Sequence, residues 1–449
     1  MKKIFGETDG IRAKVGEFPL RPNVLKKLGE AIADELTAKK IIMARDTRES
    51  GIWIDEAITT GLSSRGVEIK DLGVLPTPAV QKILSSSDDC DGGIMITASH
   101  NPATDNGVKV FRADGDKLDD ETELAIEDRF FTSELEPDIE PVERDFVEMG
   151  VDAESVERYA KMASESLGIA QTEGAGSFLI DSASGSGYSF SRALFEDFGF
   201  EVENIDPAPN GKNINDGYGA LHPEKLSMLC KQSGKMGIAL DGDADRAILV
   251  DEKGRIWTGD RIVAMLANYL KERGELTNNV VVLTEYSNLA AIKYLEANGI
   301  RVEKVVNGDR KVAKKLQELG GVLGGENAGH IIYLPWFCSS DGSFVALFAR
   351  KIMAEKNCLL ADLWPEYEEF PNAQIGVKVR EKPDFKDIPG LTAAIEEGTR
   401  QLDGRGRVFL RYSGTEMKLR ILVEGPDLRE DTEIAEKLNE IIKKEIGND

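Results

Sequence analysis

The chain is poor in cysteine and has no long apolar run. Its 449 residues include four cysteines, which form neither a C-x-x-C pair nor a zinc-ligand spacing. We therefore expect reduced thiols, as in a cytoplasmic protein. No uninterrupted apolar stretch approaches the roughly 20 residues that cross a bilayer. The opening residues, MKKIFGETDGIR, lack the apolar segment of a secretory signal. These absences predict a cytoplasmic protein without a membrane anchor.

Basic residues are also in short supply. Lysine and arginine number 56 against 80 aspartates and glutamates, so the formal net charge is -24. This balance argues against nucleic acid and anionic membranes as partners. A site that binds an anionic small molecule must therefore collect its own lysines and arginines, and such clusters are informative wherever they occur.

Three common catalytic signatures are missing. The sequence contains no G-x-S-x-G nucleophile elbow, no P-loop and no dinucleotide-binding glycine fingerprint. The first absence disfavours a serine hydrolase of the usual α/β type. The other two disfavour a P-loop nucleotidase and a nicotinamide-dependent oxidoreductase.

What the chain does have is a recurring pattern. Three segments each run from an apolar strand through a polar turn and an amphipathic helix to a glycine and a second strand. They begin at Ile41, Ser177 and Val280, and their glycines are Gly66, Gly199 and Gly299. Strand–helix–strand units of this kind predict parallel strands covered by helices. The recurrence favours three homologous α/β domains, although repeated units within one sheet would look similar.

The length requires several domains, and the tail differs from the rest. After Trp364, shorter strands and helices mix without long crossovers, which predicts a smaller α+β domain. The acidic stretch Glu134–Glu148 and the loop Asp251–Gly254 are candidate boundaries. We divide the chain into domains at residues 1–150, 151–253, 254–366 and 367–449.

The clearest chemical motif is DGDADR. Asp241, Asp243 and Asp245 alternate with small residues at the end of an apolar strand. In an extended chain alternate side chains share a face, so the three carboxylates converge. Oxygen ligands of this kind suit Mg²⁺ or Ca²⁺, although three solvated acids in a loop would have the same pattern. An EF-hand loop is excluded because Arg246 stands at its required glycine position.

Three further motifs suggest an anionic sugar ligand. RYSGTEMKLRI supplies hydroxyls, a glycine and cations that suit a phosphate, although a polar hairpin turn has the same composition. GGENAGHIIY places a carboxylate and an imidazole in a glycine loop, either to bind sugar hydroxyls or as a structural turn. TASHNP ends a buried strand at Ser99, either as a simple turn or as a phosphoryl-carrying nucleophile.

The four motifs in this order resemble the α-D-phosphohexomutase superfamily, and the resemblance spans essentially the whole chain. FGETDGIR, LGVLPTPAV, TDNGVKVFRADGDKL, PNGKNINDGYGALHPEKL and NGDRKV are most similar to the phosphoglucosamine mutase branch. The resemblance implies three α/β domains and a fourth α+β domain around a central active-site cleft. The domains would carry, in order, the phosphoserine, metal-binding, sugar-binding and phosphate-binding loops.

The resemblance also implies an activity. A phosphoserine would exchange its phosphoryl group with a sugar, interconverting glucosamine 6-phosphate and glucosamine 1-phosphate with Mg²⁺ and a sugar 1,6-bisphosphate intermediate. The implied catalytic residues are Ser99, His100, Lys109, Arg12 and Arg246. The implied metal ligands are Ser99, Asp241, Asp243 and Asp245. The implied substrate-binding residues are Glu326, Asn327, His330, Arg411, Ser413, Gly414, Thr415 and Arg420.

This sequence departs from the family pattern near the sugar. Ala328 stands where relatives usually carry serine, and Val306 where many carry lysine. The alternatives are therefore a mutase for glucose or mannose phosphates, or a catalytically silent protein that binds sugar phosphates. The partner is in each case a hexosamine or hexose phosphate, and we expect a monomer or a homodimer.

Overall fold

A computed structural model of the chain describes residues 4–6, 10–132, 134–137, 151–170, 176–413 and 417–448. The chain divides into two units. Unit 1 comprises Met1–Tyr286 and Arg301–Pro365, and unit 2 comprises Ser287–Ile300 and Glu366–Asp449.

The first part of unit 1 is built on a five-stranded sheet with the strand order β1-β5-β4-β2-β3. Its elements are β1 (Ile11–Lys14), α1 (Pro22–Leu36), β2 (Lys40–Arg45), α2 (Gly51–Ser64), β3 (Glu68–Val74), α3 (Thr77–Ser85), β4 (Gly92–Ile96), β5 (Asp105–Arg112) and α4 (Asp120–Thr132). Strand β2 is parallel to β3 and β4, while β5 runs antiparallel to β4 and β1.

A second five-stranded sheet follows, with the order β10-β9-β8-β6-β7. Its elements are α5 (Ala153–Leu167), β6 (Ser177–Asp181), α6 (Gly187–Asp197), β7 (Glu201–Asn204), α7 (Glu224–Ser233), β8 (Met236–Ala239), β9 (Ile248–Val250) and β10 (Ile256–Trp257). Strand β6 is parallel to β7 and β8, and β9 is antiparallel to β8.

The third sheet has four strands in the order β12-β11-β13-β14. The elements of this region are α8 (Gly259–Glu272), β11 (Val280–Thr284), α9 (Leu289–Ala297), β12 (Arg301–Val305), α10 (Asp309–Leu319), β13 (Leu323–Gly325), β14 (Ile331–Tyr333) and α11 (Gly342–Lys356). Strand β11 is parallel to β12 and β13, and β14 is antiparallel to β13.

The three sheets share one topology, as the sequence pattern predicted. In each, the first strand lies between the second and third, and a fourth strand returns antiparallel beside the third. The predicted glycines Gly66, Gly199 and Gly299 follow the first helices at φ +78°, +78° and +69°. Such left-handed positions favour glycine because it has no Cβ.

The same helix-ending hydrogen bond recurs in all three repeats. The amide after each glycine donates back to a carbonyl in the helix, from Val67 to Leu62, Phe200 to Phe195 and Ile300 to Leu295, at 3.0–3.2 Å. The predicted recurrence is thus visible in strand order and in the helix caps.

Unit 2 holds a three-stranded antiparallel sheet in the order β15-β17-β16. Besides α9, which falls within Ser287–Ile300, its elements are β15 (Asn372–Lys378), α12 (Leu391–Leu402), β16 (Arg407–Tyr412), β17 (Lys418–Glu424) and α13 (Leu428–Ile446). Short 3₁₀ turns occur at Thr277–Asn279, Leu360–Leu363 and Phe385–Asp387. The chain is therefore a mixed α/β protein with a smaller α+β unit, as predicted.

The predicted domain boundaries at residues 150 and 253 do not coincide with clear ends of the described sheets. The boundary at residue 150 lies outside the described residues. Residue 253 lies in the turn between β9 and β10, and the second sheet continues to Trp257. The division into four domains at these positions stays a prediction. Among the described helices, none combines the length and apolar character needed to cross a membrane.

Candidate active site

The site is assembled from one equivalent turn in each of the three sheets of unit 1. These turns join the third strand to the antiparallel fourth strand: β4 to β5, β8 to β9 and β13 to β14. They carry TASHNP, DGDADR and GENAGH respectively. An isolated backbone bridge between Arg246 and His330 links the second turn to the third. Three motifs that are far apart in sequence therefore meet because the topology repeats.

Ser99 is held in an uncommon backbone conformation. Its φ is +51° and the residue is only 1% exposed. Its amide donates to Thr97 Oγ1 at 2.9 Å, and Thr97 in turn donates to Asp46 Oδ2 at 2.7 Å. A non-glycine residue at positive φ persists only where its surroundings enforce it, and such residues concentrate at functional sites.

The hydroxyl of Ser99 points at the aspartate cluster. Ser99 Oγ donates to Asp241 Oδ2 at 2.7 Å, and Asp241 is 142 residues away in sequence. Ligand atoms of Asp241, Asp243 and Asp245 all lie within 4.8 Å of one another, and all three residues are buried. The predicted convergence of three carboxylates beside the serine is present in the structure.

Lys109 partly neutralises this cluster. Its Nζ lies 2.8 Å from Asp243 Oδ2 and 3.3 Å from Asp245 Oδ2, and Lys109 is 2% exposed. Thr77 donates to Asp243 Oδ2 as well, at 2.6 Å. Lys109 therefore reduces the repulsion among the three buried carboxylates, two of which it contacts directly.

The pKa values follow from this crowding. Burial and the charges of Asp245 and Asp243 raise the pKa of Asp241 to about 7. Burial opposes ionisation of Asp245 too, but Lys109 and His330 hold its pKa well below the ordinary value. Neighbouring carboxylates thus have separated pKa values, a pattern found at functional sites.

The residues present fit a hard divalent cation. The buried Asp243 Oδ1 has no hydrogen-bond partner, and an oxygen that is buried without a partner is costly unless something else binds it. Carboxylate oxygens and the Ser99 oxygen form a donor set that suits Mg²⁺.

Arg246 connects the cluster to His100 and His330, two of the three histidines of the chain. Its backbone amide donates to Asp241 Oδ1 at 3.2 Å, and its Nη2 lies 3.0 Å from His100 Nδ1. His100 Nδ1 is also 3.3 Å from Ser99 Oγ. Burial, with the charges of Arg246 and Arg12, lowers the pKa of His100 to about 3. His100 is therefore a neutral imidazole beside the serine.

His330 is, by contrast, positively charged. Its Nδ1 lies 2.7 Å from Glu326 Oε2 and its Nε2 lies 3.1 Å from Asp245 Oδ1. Burial lowers the pKa of His330, but the charge of Asp245 and these hydrogen bonds outweigh burial and raise the pKa to about 10. Glu326 Oε1 also accepts from the Gly308 amide at 2.9 Å. The imidazolium of His330 therefore links Glu326 of the glycine loop to Asp245 of the aspartate cluster.

Two other predicted residues of unit 1 carry buried atoms without hydrogen-bond partners. These atoms are Arg12 Nε and Asn327 Oδ1. Arg12 lies on β1, where it is paired with Gly107 of β5. Ala328 is exposed at the tip of the glycine loop, and Val306 is 39% exposed.

The motif RYSGTEMKLRI, whose composition suits a phosphate, lies in unit 2 at the turn between β16 and β17. Arg411 and Arg420 are direct partners across these antiparallel strands. The amide of Ser413 donates to the Lys418 carbonyl at 2.8 Å, and Lys382 Nζ donates to the Ser413 carbonyl at 2.5 Å. Gly414 and Thr415 lie outside the described residues.

Sequence reasoning missed the residues that hold the serine turn. The buried pair Asp46 and Arg48 lies in the loop between β2 and α2, and Asn215 follows β7. Arg48 and Asn215 each donate to carbonyls of the turn. The stretch ARDTRESG was visible in the first repeat, but neither charge nor spacing indicated what its arginine would contact.

Comparisons with known proteins agree with this geometry. Phosphoglucomutase/phosphomannomutase α/β/α domain I matches residues 2–137, domain III matches 258–370 and the C-terminal domain matches 375–441. Phosphoglucosamine mutase of Bacillus cytotoxicus is 38% identical over 456 residues, covering 100% of both chains.

Solved structures share the fold. A phosphoglucomutase/phosphomannomutase family protein of Burkholderia thailandensis superposes with a TM-score of 0.77 at 20% identity, covering 97% of this chain and 96% of that one. N-acetylphosphoglucosamine mutase of Aspergillus fumigatus, in complex with GlcNAc-6P and magnesium, gives 0.62 at 18% identity, covering 90% and 82%. The chain therefore belongs to the phosphoglucomutase/phosphomannomutase family of phosphohexomutases, enzymes of the isomerase class that act as phosphosugar mutases.

Proposed function

We propose that the enzyme interconverts glucosamine 6-phosphate and glucosamine 1-phosphate through a phosphoserine at Ser99. The observation that carries this proposal is the 2.7 Å contact between Ser99 Oγ and Asp241 Oδ2 inside a buried carboxylate cluster. The full-length relative named phosphoglucosamine mutase supports the choice of the amino sugar.

Asp241, Asp243, Asp245 and the Ser99 oxygen would hold Mg²⁺. The ion would neutralise a phosphoserine, which carries close to two negative charges. Supporting this assignment are the converging carboxylates, the unpartnered Asp243 Oδ1 and the related Aspergillus structure with magnesium.

The protein's own cations would stabilise the charge on the transferring phosphoryl group. Arg246 and Lys109 lie at the cluster, and the Arg12 charge acts on His100. Phosphoryl transfer depends mainly on positioning and on charge stabilisation of this kind. Neutral His100, with Nδ1 at 3.3 Å from Ser99 Oγ, is a candidate to accept or return a proton.

The sugar would be bound by hydroxyl contacts and by its other phosphate. Glu326 and Asn327 offer oxygen acceptors, and His330 orients Glu326. In unit 2, the residues proposed to bind a substrate phosphate are Arg411, Ser413, Gly414, Thr415 and Arg420. Because either end of the sugar must react in turn, binding directed at phosphate and hydroxyl groups suits both orientations.

A sugar 1,6-bisphosphate would serve as intermediate and activator. Transfer of one phosphoryl group to Ser99 would form a P–O bond to Ser99 Oγ and break the P–O bond to the sugar oxygen. The proton of the Ser99 hydroxyl would end on that sugar oxygen, which leaves a sugar monophosphate. A cytoplasmic location and a monomeric or homodimeric state stay predictions. Glucose or mannose phosphates are the alternative substrates, because Ala328 and Val306 differ from the usual residues beside the sugar.

The experiment is to incubate the dephosphorylated enzyme with Mg²⁺ and ³²P-labelled sugar bisphosphate, and then to locate the label by peptide mass spectrometry. Label on Ser99, chased off by glucosamine 6-phosphate, is the expected result. Label on another residue, or none on the protein, contradicts the phosphoserine assignment.

A further inference from the structure

Arg48 makes a dense set of contacts with the serine turn. Its side chain is fully buried and pairs with Asp46 Oδ2 at 2.9 Å. Its Nη2 donates to the carbonyls of Ser99 and Asn101 at 3.0 and 2.8 Å. Its Nη1 donates to the carbonyls of Pro102 and Asp105. One guanidinium therefore binds three backbone carbonyls of the serine turn and that of Asp105, the first residue of β5.

Asn215 approaches the same turn from the second repeat. Its Nδ2 donates to the carbonyls of Ser99 and Asn101 at 2.8 and 2.9 Å. The Ser99 carbonyl thus accepts one hydrogen bond from Arg48 and one from Asn215. Asn215 itself has a φ of +58°, and its amide donates to the Ala183 carbonyl at 2.9 Å.

These contacts hold Ser99 in its strained, left-handed backbone conformation. A left-handed φ is unfavourable for serine, so the turn relaxes unless its carbonyls are fixed in direction. A planar guanidinium with several fixed donors is well suited to that purpose, and lysine cannot reproduce it. Asp46 completes the arrangement, since it binds Arg48 and also accepts from Thr97, whose hydroxyl receives the Ser99 amide.

We propose that Asp46, Arg48 and Asn215 form a clamp that aims Ser99 Oγ for phosphoryl transfer, so that all three are positioning residues. The clamp draws on two repeats, because Asn215 of the second repeat binds the serine turn of the first. This inference rests on the proposed phosphoserine at Ser99. A misplacement of about 1 Å can slow a reaction about 100-fold, which sets the expected effect.

The sharpest test uses Asn215→Gly, because glycine accepts the left-handed φ, so the side chain and its donor are removed without straining the backbone. Asn278→Gly is a matched control. Asn278 also has a φ of +58° and donates its Nδ2 to backbone carbonyls, those of Leu319 and Gly320. Arg48→Lys is a second variant, with Arg255→Lys as its control, since Arg255 pairs with buried Asp251 and donates to the Ala361 carbonyl.

The first readout is the rate at which glucose 1,6-bisphosphate phosphorylates Ser99, followed by intact mass. We expect a loss of about tenfold in Asn215→Gly and about 100-fold in Arg48→Lys, with little change in either control. The second readout is hydrogen exchange at the amides of residues 97–101, which should be faster in both clamp variants and unchanged in the controls. A thermal unfolding scan checks that each variant is folded.

The outcomes separate the two proposals. Wild-type rates and exchange in both clamp variants would overturn the clamp. If wild-type Ser99 takes no phosphoryl group, the proposed function fails, and hydrogen exchange alone still decides whether Arg48 and Asn215 hold the turn.

Discussion

Ser99 Oγ lies 2.7 Å from Asp241 Oδ2 although the two residues are 142 positions apart in the chain. They meet because each stands on the turn between the third and fourth strands of its own repeat. The hydroxyl of Ser99, the proposed nucleophile, is thereby placed beside a buried cluster of carboxylates. This relationship underlies the predictions below.

Ser99→Ala should lower mutase turnover by about 10³-fold or more, because the phosphoryl group then lacks its acceptor oxygen. The fold should survive, since only one hydroxyl is removed. Steady-state kinetics with a thermal unfolding scan measure both effects. Ser191→Ala is the matched control, a buried serine that contacts Ser343 Oγ at 2.9 Å. Near-normal turnover of Ser99→Ala would refute the nucleophile assignment.

Asp243→Asn should raise the Mg²⁺ concentration for half-maximal activity by about tenfold or more, because a charged ligand becomes neutral. Titration of activity and of unfolding temperature against Mg²⁺ measures the change. Asp206→Asn serves as the control, a buried carboxylate bound to Ser182 and Ser184 instead. An unchanged Mg²⁺ requirement would remove Asp243 from the metal site.

Lys109→Met should destabilise the metal-free protein by about 3–5 kcal/mol, because it leaves buried carboxylates without their ammonium partner. Added Mg²⁺ should then raise the unfolding temperature more in this variant than in the wild type, since the ion replaces the lost charge. Lys117→Met is the control, as Lys117 pairs with Asp309 at 2.6 Å. An equal Mg²⁺ response in all three proteins would contradict this electrostatic account.

Stability should also depend on pH through Asp181. Burial raises the pKa of this carboxyl to about 7, with the charge of Asp206 adding to it and Lys225 opposing it. The folded protein therefore holds a proton that the unfolded chain releases near pH 4. The protonated carboxyl therefore raises the free energy of unfolding at low pH, and this contribution is lost as the pH rises towards 7.

The variant Asp181→Asn tests the direction in which stability changes with pH. Relative to the wild type, the variant should gain stability as the pH rises from 4 to 7, by on the order of 4 kcal/mol. Urea unfolding at several pH values in metal-free buffer gives the difference, with the exposed Asp216→Asn as reference. A difference that stays constant with pH would show that Asp181 has an ordinary pKa in the folded protein.

Much of the fold could be predicted because it depends on local signals. The glycines at 66, 199 and 299 end helices, and apolar runs such as Val280–Thr284 are strands buried along their whole length. The three aspartates converge because they alternate in a short segment. Such features depend on neighbours within a few residues, where spacing and residue type are informative.

The residues that were missed act over longer distances. Thr77 and Asp243 are 166 positions apart, and Asn215 reaches Ser99 across 116. Arg48 has an ordinary charged side chain in a helix-preceding loop, and only tertiary structure shows that it is fully buried. Spacing cannot reveal contacts that depend on how two sheets pack. The strand β10 (Ile256–Trp257), which pairs with β9, has only two residues and so leaves too weak a pattern in the sequence to be recognised.

The most direct test of the central claim is ³¹P NMR of the enzyme with Mg²⁺ and a trace of sugar bisphosphate. Glucosamine 6-phosphate, glucose 1-phosphate and mannose 1-phosphate are supplied separately. We predict that the amino sugar is isomerised fastest, with its phosphorus signal moving between the 6- and 1-positions. Faster turnover of glucose or mannose phosphate, or no turnover of any of the three, would contradict the proposed substrate.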